Sequence, residues 1–471
     1  MKRPALWLLL LTTACSHVGP DYAGPRSRIA AAPSATGEFS AATRAGPFTD
    51  DPVPGQWWRL YRTSELDQLV SEALAANTDL AVALANIEES RALLAEALAQ
   101  RQVRGETTGG VTLDRERRIN GAAPVELGFE AGITLRYDLD VAGRLKRLIE
   151  AANADVEAAQ AAYDLMRLTV AADTAAAYVD ACAAGYRHNA AQRSVALQEE
   201  TLALTERLIQ GGRGGALDRS RAAAELARLR APLPAFQAAR QNALFRLAVL
   251  LGRPPAQFPQ DLAACRTLPS LNAPIPVGDG AGLLRRRPDV RQAERQIAAA
   301  TARIGLAMAD LYPRIEFGAG AGIGTPFEDL GDDNSFRFGL GPLVTWTFPN
   351  RSAVEARIRR AEASEQAALA RFDAAVLRAL SDVETALSAY ARELDANDAL
   401  KASRDSAAKV VEQTHQLFRL GRADSLAVLD AQRMLADAEA QLAASDAQLA
   451  AYQINLFRAL GGGWEVAPSA S

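Results

Sequence analysis

Two periodicities alternate along this chain, and each occurs twice. From Ser64 onward, apolar positions first follow a helical spacing and then switch to strict alternation over two short segments. A very long helical stretch comes next, then a break at glycine, then a second helical stretch. The long helices are predicted over roughly Gly143 to Gln210 and Arg351 to Leu420, with apolar residues at Leu380, Val383, Leu387, Tyr390 and Leu394. The last helix is stricter. Val428, Leu435, Leu442, Leu449 and Leu456 fall seven apart, and Ala431, Ala438, Ser445 and Tyr452 follow three later, a seam for left-handed coiled-coil packing. At about 1.5 Å per residue each long helix reaches on the order of 100 Å, longer than a globular core needs. Pro232 and Pro234 should break the matching helix of the first half, since proline lacks the amide donor and clashes with the preceding turn.

The two halves are a duplication. Thr78–Arg104 matches Pro288–Arg314 at an offset of 210, with Asp79 on Asp289 and Arg104 on Arg314, and Leu251-Gly252 matches Leu460-Gly461 at 209. The predicted organisation is a leader at 1–14, an extended Pro/Gly-rich arm at 15–63, a first repeat at 64–252, a Pro-rich connector at 253–282, a second repeat at 283–462 and a tail at 463–471.

Three of the four alternating segments are clean. Leu127, Phe129, Ala131, Ile133, Leu135, Tyr137 and Leu139 take the odd positions of one, with Glu126, Glu130, Arg136 and Asp138 between them. Ile315 to Ile323 and Phe336 to Phe348 repeat the pattern, and Arg104–Asp114 is the weakest. Such length and period suit tilted transmembrane strands. Four strands cannot close a barrel, and an open edge in lipid leaves backbone groups unpaired at several kcal/mol each, so several copies must complete one barrel. The loops "DRERRINGAAPV" and "TPFEDLGDDNS" are polar, as loops facing external water should be.

The N-terminus supports an envelope address. Lys2 and Arg3 precede an apolar run too short to span a bilayer and ending in small residues, a secretory signal. It stops at Cys15, which resembles a bacterial lipoprotein processing site whose new N-terminal cysteine is acylated, and Ser16 after it directs sorting to the outer membrane. Removal of residues 1–14 takes the formal charge from −4 to −6 (−4 − 2), which argues against a nucleic-acid partner. The run Arg285-Arg286-Arg287 is expected to be a solvated stretch before a helix. Cys182, in a helix, and Cys265, in a loop, are expected to be separate thiols rather than a disulfide.

"CSHVGPDYAGP", "YDLDVAGRLKR", "LAVLLGRPP", "LLRRRPDVRQAERQIAAATARIGLAMADLYPRI" and "LGRADSLAVLDAQR" occur in order along the mature chain. Together they resemble the TolC-like outer-membrane efflux lipoproteins. The resemblance implies a mainly α fold with a β-barrel portion: a homotrimer with a twelve-stranded β-barrel in the outer-membrane bilayer and a twelve-helix α-barrel tunnel. It further implies a periplasmic adaptor and an inner-membrane pump, proton-driven, as partners; no cofactor is expected. The helix breaks at Gly212 and Gly421 become hairpin turns at the tunnel tip, with Asp424 capping the next helix and Asp218 in the first turn of its counterpart. By resemblance Asp430 lines the aperture as a ring of carboxylates, with Leu426 as a hydrophobic constriction one turn away. Arg213, Asp218, Arg219, Arg422 and Asp424 are candidates for contacts between neighbouring tips.

"GGRGG" lacks the preceding strand and the GK[ST] ending of a phosphate loop. No HExxH, no GxSxG and no His–carboxylate cluster at useful spacing is present, so catalysis is not expected. The leading expectation is a passive duct for drugs or other small molecules. Type I protein secretion or metal efflux through the same architecture, and a non-conducting coiled-coil lipoprotein, remain as alternatives.

Overall fold

Alternation and heptad spacing translate directly into elements. The computed structural model describes residues 17–42, 47–114, 126–212, 214–271, 273–326, 335–348 and 351–462. The leader with Cys15 and Ser16, most of both polar loops, Arg213 and the tail 463–471 lie outside the described residues.

In the first repeat, α2 (Ser64–Ala76) and α3 (Thr78–Ala99) lead into β2 (Arg104–Asp114) and β3 (Glu126–Asp138). The helix α4 (Arg144–Gln210) follows, then α5 (Ala216–Arg230) and α6 (Leu233–Leu250). The second repeat has α7 (Gly280–Arg286), α8 (Pro288–Ala309), β5 (Arg314–Pro326), β6 (Phe336–Thr345), α9 (Arg351–Arg419) and α10 (Ser425–Ala459). The α5–α6 break falls at Ala231-Pro232, where α10 of the second repeat runs on unbroken. Before the repeats, the arm holds a single-turn helix α1 (Pro33–Thr36) and a two-residue strand β1 (Phe48–Thr49). The latter pairs in parallel with β4 (Ile275–Pro276) of the connector, a pairing too short to be read from sequence.

The chain divides into two compact units, each drawing on both repeats. The first (residues 1–27, 85–160 and 292–373) contains the antiparallel sheet in the order β2-β3-β5-β6. Its register sorts side chains by face. Ile133 lies opposite Ala321, which lies opposite Phe338; Leu135, Ala319 and Leu340 form the next row, and Tyr137, Phe317 and Pro342 another. The rows between carry Thr134, Gly320 and Gly339, or Arg136, Gly318 and Gly341. The apolar face is bare: Phe338 is 82% exposed and Leu340 71%. Outer strands β2 and β6 each have one unpaired edge among the described residues.

The arm docks in the same unit through Arg147, whose side chain is 2% exposed. It donates to the carbonyls of Val18 and Gly19 and pairs with Asp21 and Glu150. That buried guanidinium is satisfied on every side, as a buried charge requires. The Arg147 side chain occupies the space that a Cβ at Gly305 would need.

The second unit (28–84, 161–291 and 374–471) packs the helices around Trp57, stacked on Phe457 at 4.8 Å, with Leu66, Leu247, Val383, Leu387 and Leu456 fully buried. Two expectations are corrected here. Cys182 and Cys265 are joined in a disulfide, Cα to Cα 5.0 Å. The connector reaches α4 because Gly185 has no side chain; a Cβ there would fall 2.0 Å from the Cys265 carbonyl oxygen. Sequence separation carries no information about that approach. The arginine run is not simply solvated: Arg286 donates to the Leu460 carbonyl, while Arg287 donates to the Ala459 carbonyl and pairs with Asp289 and Asp382. These two side chains satisfy the last carbonyls of α10, and among the three only Arg285 is exposed.

Candidate functional site

Helix hairpins α4–α5 and α9–α10 each end in a glycine with left-handed backbone, Gly212 at φ 73° and Gly421 at φ 71°. At the second, the Gly421 amide donates to the Phe418 carbonyl and the Arg422 amide to that of Leu417, closing α9 in the paired-bond manner that needs a residue free of Cβ strain. Three residues later Asp424 takes extended backbone, and its carboxylate accepts from the Ala427 amide at 2.9 Å, which starts α10. In the first hairpin Asp218 accepts from the Gly215 amide at 3.2 Å. Arg219 pairs with Glu206 of its own hairpin at 3.0 Å, an exposed contact of little energetic weight. Arg422 is exposed.

Asp430 and Leu426 sit one turn apart on α10, both exposed in the single chain: the Asp430 side chain is 61% exposed and Leu426 38%. Their neighbours Val428, Leu429 and Ala431 are buried, so α10 turns one face into the helices and leaves this one outward.

Behind that outward face lies a polar layer absent from the sequence reading. Glu225 of α5, only 2% exposed, receives Arg228 at 2.7 Å and Arg433 of α10 at 2.9 Å. Arg228 also reaches Asp437, and Arg433 lies 3.6 Å from Asp430. Burial pushes the Glu225 carboxyl up, but hydrogen bonds from Arg228 and Arg433 and their charges outweigh it and leave the group below its ordinary value. Further along α10, Asn397 of α9 donates to Asp446 at 2.8 Å and to Ser445 at 3.1 Å, while Tyr186 of α4 donates to the other Asp446 oxygen at 2.9 Å. Only Ser445, a polar residue on the heptad seam, hinted at such a layer in the sequence. A buried polar pair of this type fixes the register of neighbouring helices.

The bare apolar face of the sheet suits contact with lipid, and helices of 67 and 69 residues are longer than a globular core needs. Among the described residues no helix is long and apolar enough to cross a membrane. The chain belongs to the outer membrane efflux protein family, whose pattern matches residues 69–253 and 282–462. It is similar to the pyoverdine export outer membrane protein OpmQ of Pseudomonas putida, 28% identical over 97% of this chain and 96% of that protein. The toluene efflux pump outer membrane protein TtgF of Pseudomonas putida is likewise 28% identical, over 97% of this chain and 96% of its own. Among solved structures, the outer-membrane channel OprN superposes with a TM-score of 0.87 at 32% identity, covering 95% of this chain and 99% of that one. The fold is therefore that of the TolC-like channels, and the protein is an outer-membrane efflux duct.

Proposed function

We propose that three copies of this chain form the exit duct of a tripartite efflux system, anchored by acylated Cys15 in the outer membrane and met in the periplasm by an adaptor and an energised inner-membrane pump. The observation that carries the assembly is the four-stranded sheet with two unpaired edges and a bare apolar face. Lipid offers no hydrogen bonds to those edges, so neighbouring copies must supply them. Three copies give twelve strands, the number that the family resemblance implies.

Within the duct, three Asp430 carboxylates and three Leu426 side chains form the aperture at the hairpin tips. A carboxylate ring holds water and favours cations, while a leucine ring resists wetting. The proposed cargo is small molecules of the breadth suggested by the names of the relatives, pyoverdine in one and toluene in another. Arg213, Arg219, Arg422 and the tip carboxylates Asp218 and Asp424 supply contacts between neighbouring tips in the closed state.

Two measurements test this reading. Mass photometry of the detergent-solubilised full chain should give a trimer; a monomer would overturn it. In planar bilayers, Asp430→Ala combined with Leu426→Ala should raise single-channel conductance, and unchanged conductance would place the aperture elsewhere.

A further inference from the structure

Five arginines share one cleft where the four-stranded sheet meets the helices of its own unit. Arg144 opens α4, Arg303 lies on α8, Arg314 begins β5, and Arg357 and Arg360 lie early on α9, around a space of about 550 Å³. Asp310, the carboxylate in the lining, takes both Arg314 at 3.2 Å and Arg357 at 2.6 Å. Arg303 pairs with Asp155, and Arg144 lies 4.0 Å from Asp138. Three carboxylates therefore face five guanidinium groups, an excess of two positive charges. Among the described residues Arg360 has no carboxylate partner, and the Arg144 Nε is buried without an acceptor. The fold itself does not require these charges. At the offsets that relate the two repeats, Leu93, Leu148 and Ala151 stand in the first where Arg303, Arg357 and Arg360 stand in the second. Two observations fix the side on which the cleft opens. Arg314 takes the same face of β5 as Gly318, which pairs with Arg136, and so belongs to the polar face of the sheet. On α8, Arg303 and Ala307 stand two positions either side of Gly305, about 200° round the helix from where Gly19 of the arm and Arg147 pack.

We propose that this cleft is an anion-binding site on the inner wall of the duct, taking small organic molecules that carry two or more carboxylate or phosphate groups. The inference rests on the duct reading, which makes the polar face of the sheet the luminal one. Guanidinium forks match the paired oxygens of such groups and stay charged at any physiological pH. The space is of the size that holds a small molecule. Arg360 and Arg144 have unused donors and supply the recognition, whereas Arg314 and Arg357 are already engaged by Asp310. The surplus positive charge concentrates anions at the wall. Screening by the water of the duct keeps the hold weak enough for release, the balance that a conducting path needs.

The test is isothermal titration calorimetry of the full-length acylated protein in detergent, with citrate as the probe and glucose as the neutral control. Citrate should bind saturably and glucose should not. Arg360→Gln should weaken citrate binding about tenfold, as loss of one charge-assisted contact implies, while Arg360→Lys, which keeps the charge, should retain most of the affinity. Arg144→Gln should show a similar loss; if that variant fails to assemble, the two Arg360 variants decide. Absence of saturable binding, or binding unchanged by Arg360→Gln, overturns the site. Titration is repeated in nanodiscs of phosphatidylcholine and of phosphatidylglycerol. Equal citrate affinity supports a soluble anion as the ligand, whereas loss of binding in phosphatidylglycerol assigns the arginines to a lipid headgroup and overturns the proposal. In planar bilayers citrate should lower the wild-type potassium chloride conductance, and Arg360→Gln should need about tenfold more citrate for the same effect. Binding that leaves the current of a conducting channel unchanged overturns the luminal placement. A chain that never conducts, yet binds citrate through Arg360, sinks the duct reading and leaves the anion site standing.

Discussion

Removing the bond between Cys182 and Cys265 should loosen the connector and little else. The connector is fixed at one end by Gly252, whose backbone packs against the Ala76 carbonyl, and at its middle by Cys265 on α4. While the helices stay folded, the bond tethers the segment of about 13 residues from Arg253 to Cys265, and the chain-entropy relation values such a constraint at about 3 kcal/mol. Over the full separation of 83 residues the same relation gives about 4.5 kcal/mol against global unfolding. The local figure governs the assay. Arg266 is exposed and adjoins Cys265, so trypsin can nick the chain after it once the segment opens, whereas Arg253 is shielded by the following Pro254. When opening and closing outpace cleavage, nicking tracks the open population. The double variant Cys182→Ala, Cys265→Ser should therefore be cut after Arg266 about a hundredfold faster than the oxidised protein, since each 1.4 kcal/mol is about tenfold. Alanine suits position 182 because that site is fully buried and a hydroxyl there would need a partner. Gly185→Ala should produce a similar rise with both cysteines present, because its Cβ would meet the Cys265 carbonyl. Equal nicking of the oxidised protein and the double variant would show that the bond contributes nothing to holding the connector.

Two further outcomes are expected at the tips. Asp424→Ala removes the acceptor for the Ala427 amide and should cost about 1 kcal/mol locally, read as roughly fivefold faster exchange of that amide. The cluster of Glu225, Arg228 and Arg433 should also respond to acid. Glu225 has its folded pKa depressed, so its stabilisation is complete above the unfolded carboxyl value of about 4.3 and is lost as pH falls through the lower folded value. Arg228 and Arg433 contact it directly, Asp437 and Asp430 lie on those arginines, and Arg193 and Glu439 line the cavity. His415 is linked to the same layer through Gln432. Protection of the α5 backbone amides against exchange in an Asp430→Asn background should accordingly fall as pH drops below the ordinary carboxyl range, and Glu225→Gln should abolish that acid response; an acid response that survives the substitution would assign it to another group.

The long helices, the strands and their boundaries were legible because each is a local matter. Spacing of apolar residues along α9 and α10 records which face each helix buries, alternation along β3 records which face is apolar, and Gly421 and Asp424 encode a stop and a start with their own backbones and side chains. The requirement for more than one copy also came from counting strands. What the sequence could not supply was any meeting of residues distant along the chain. Cys182 with Cys265, Arg287 with the end of α10, and Glu225 with Arg433 are each decided by how helices cross and where a missing side chain lets backbone approach. Periodicity is a property of one segment read alone, whereas a contact between segments depends on their relative placement, and only the packed structure fixes that.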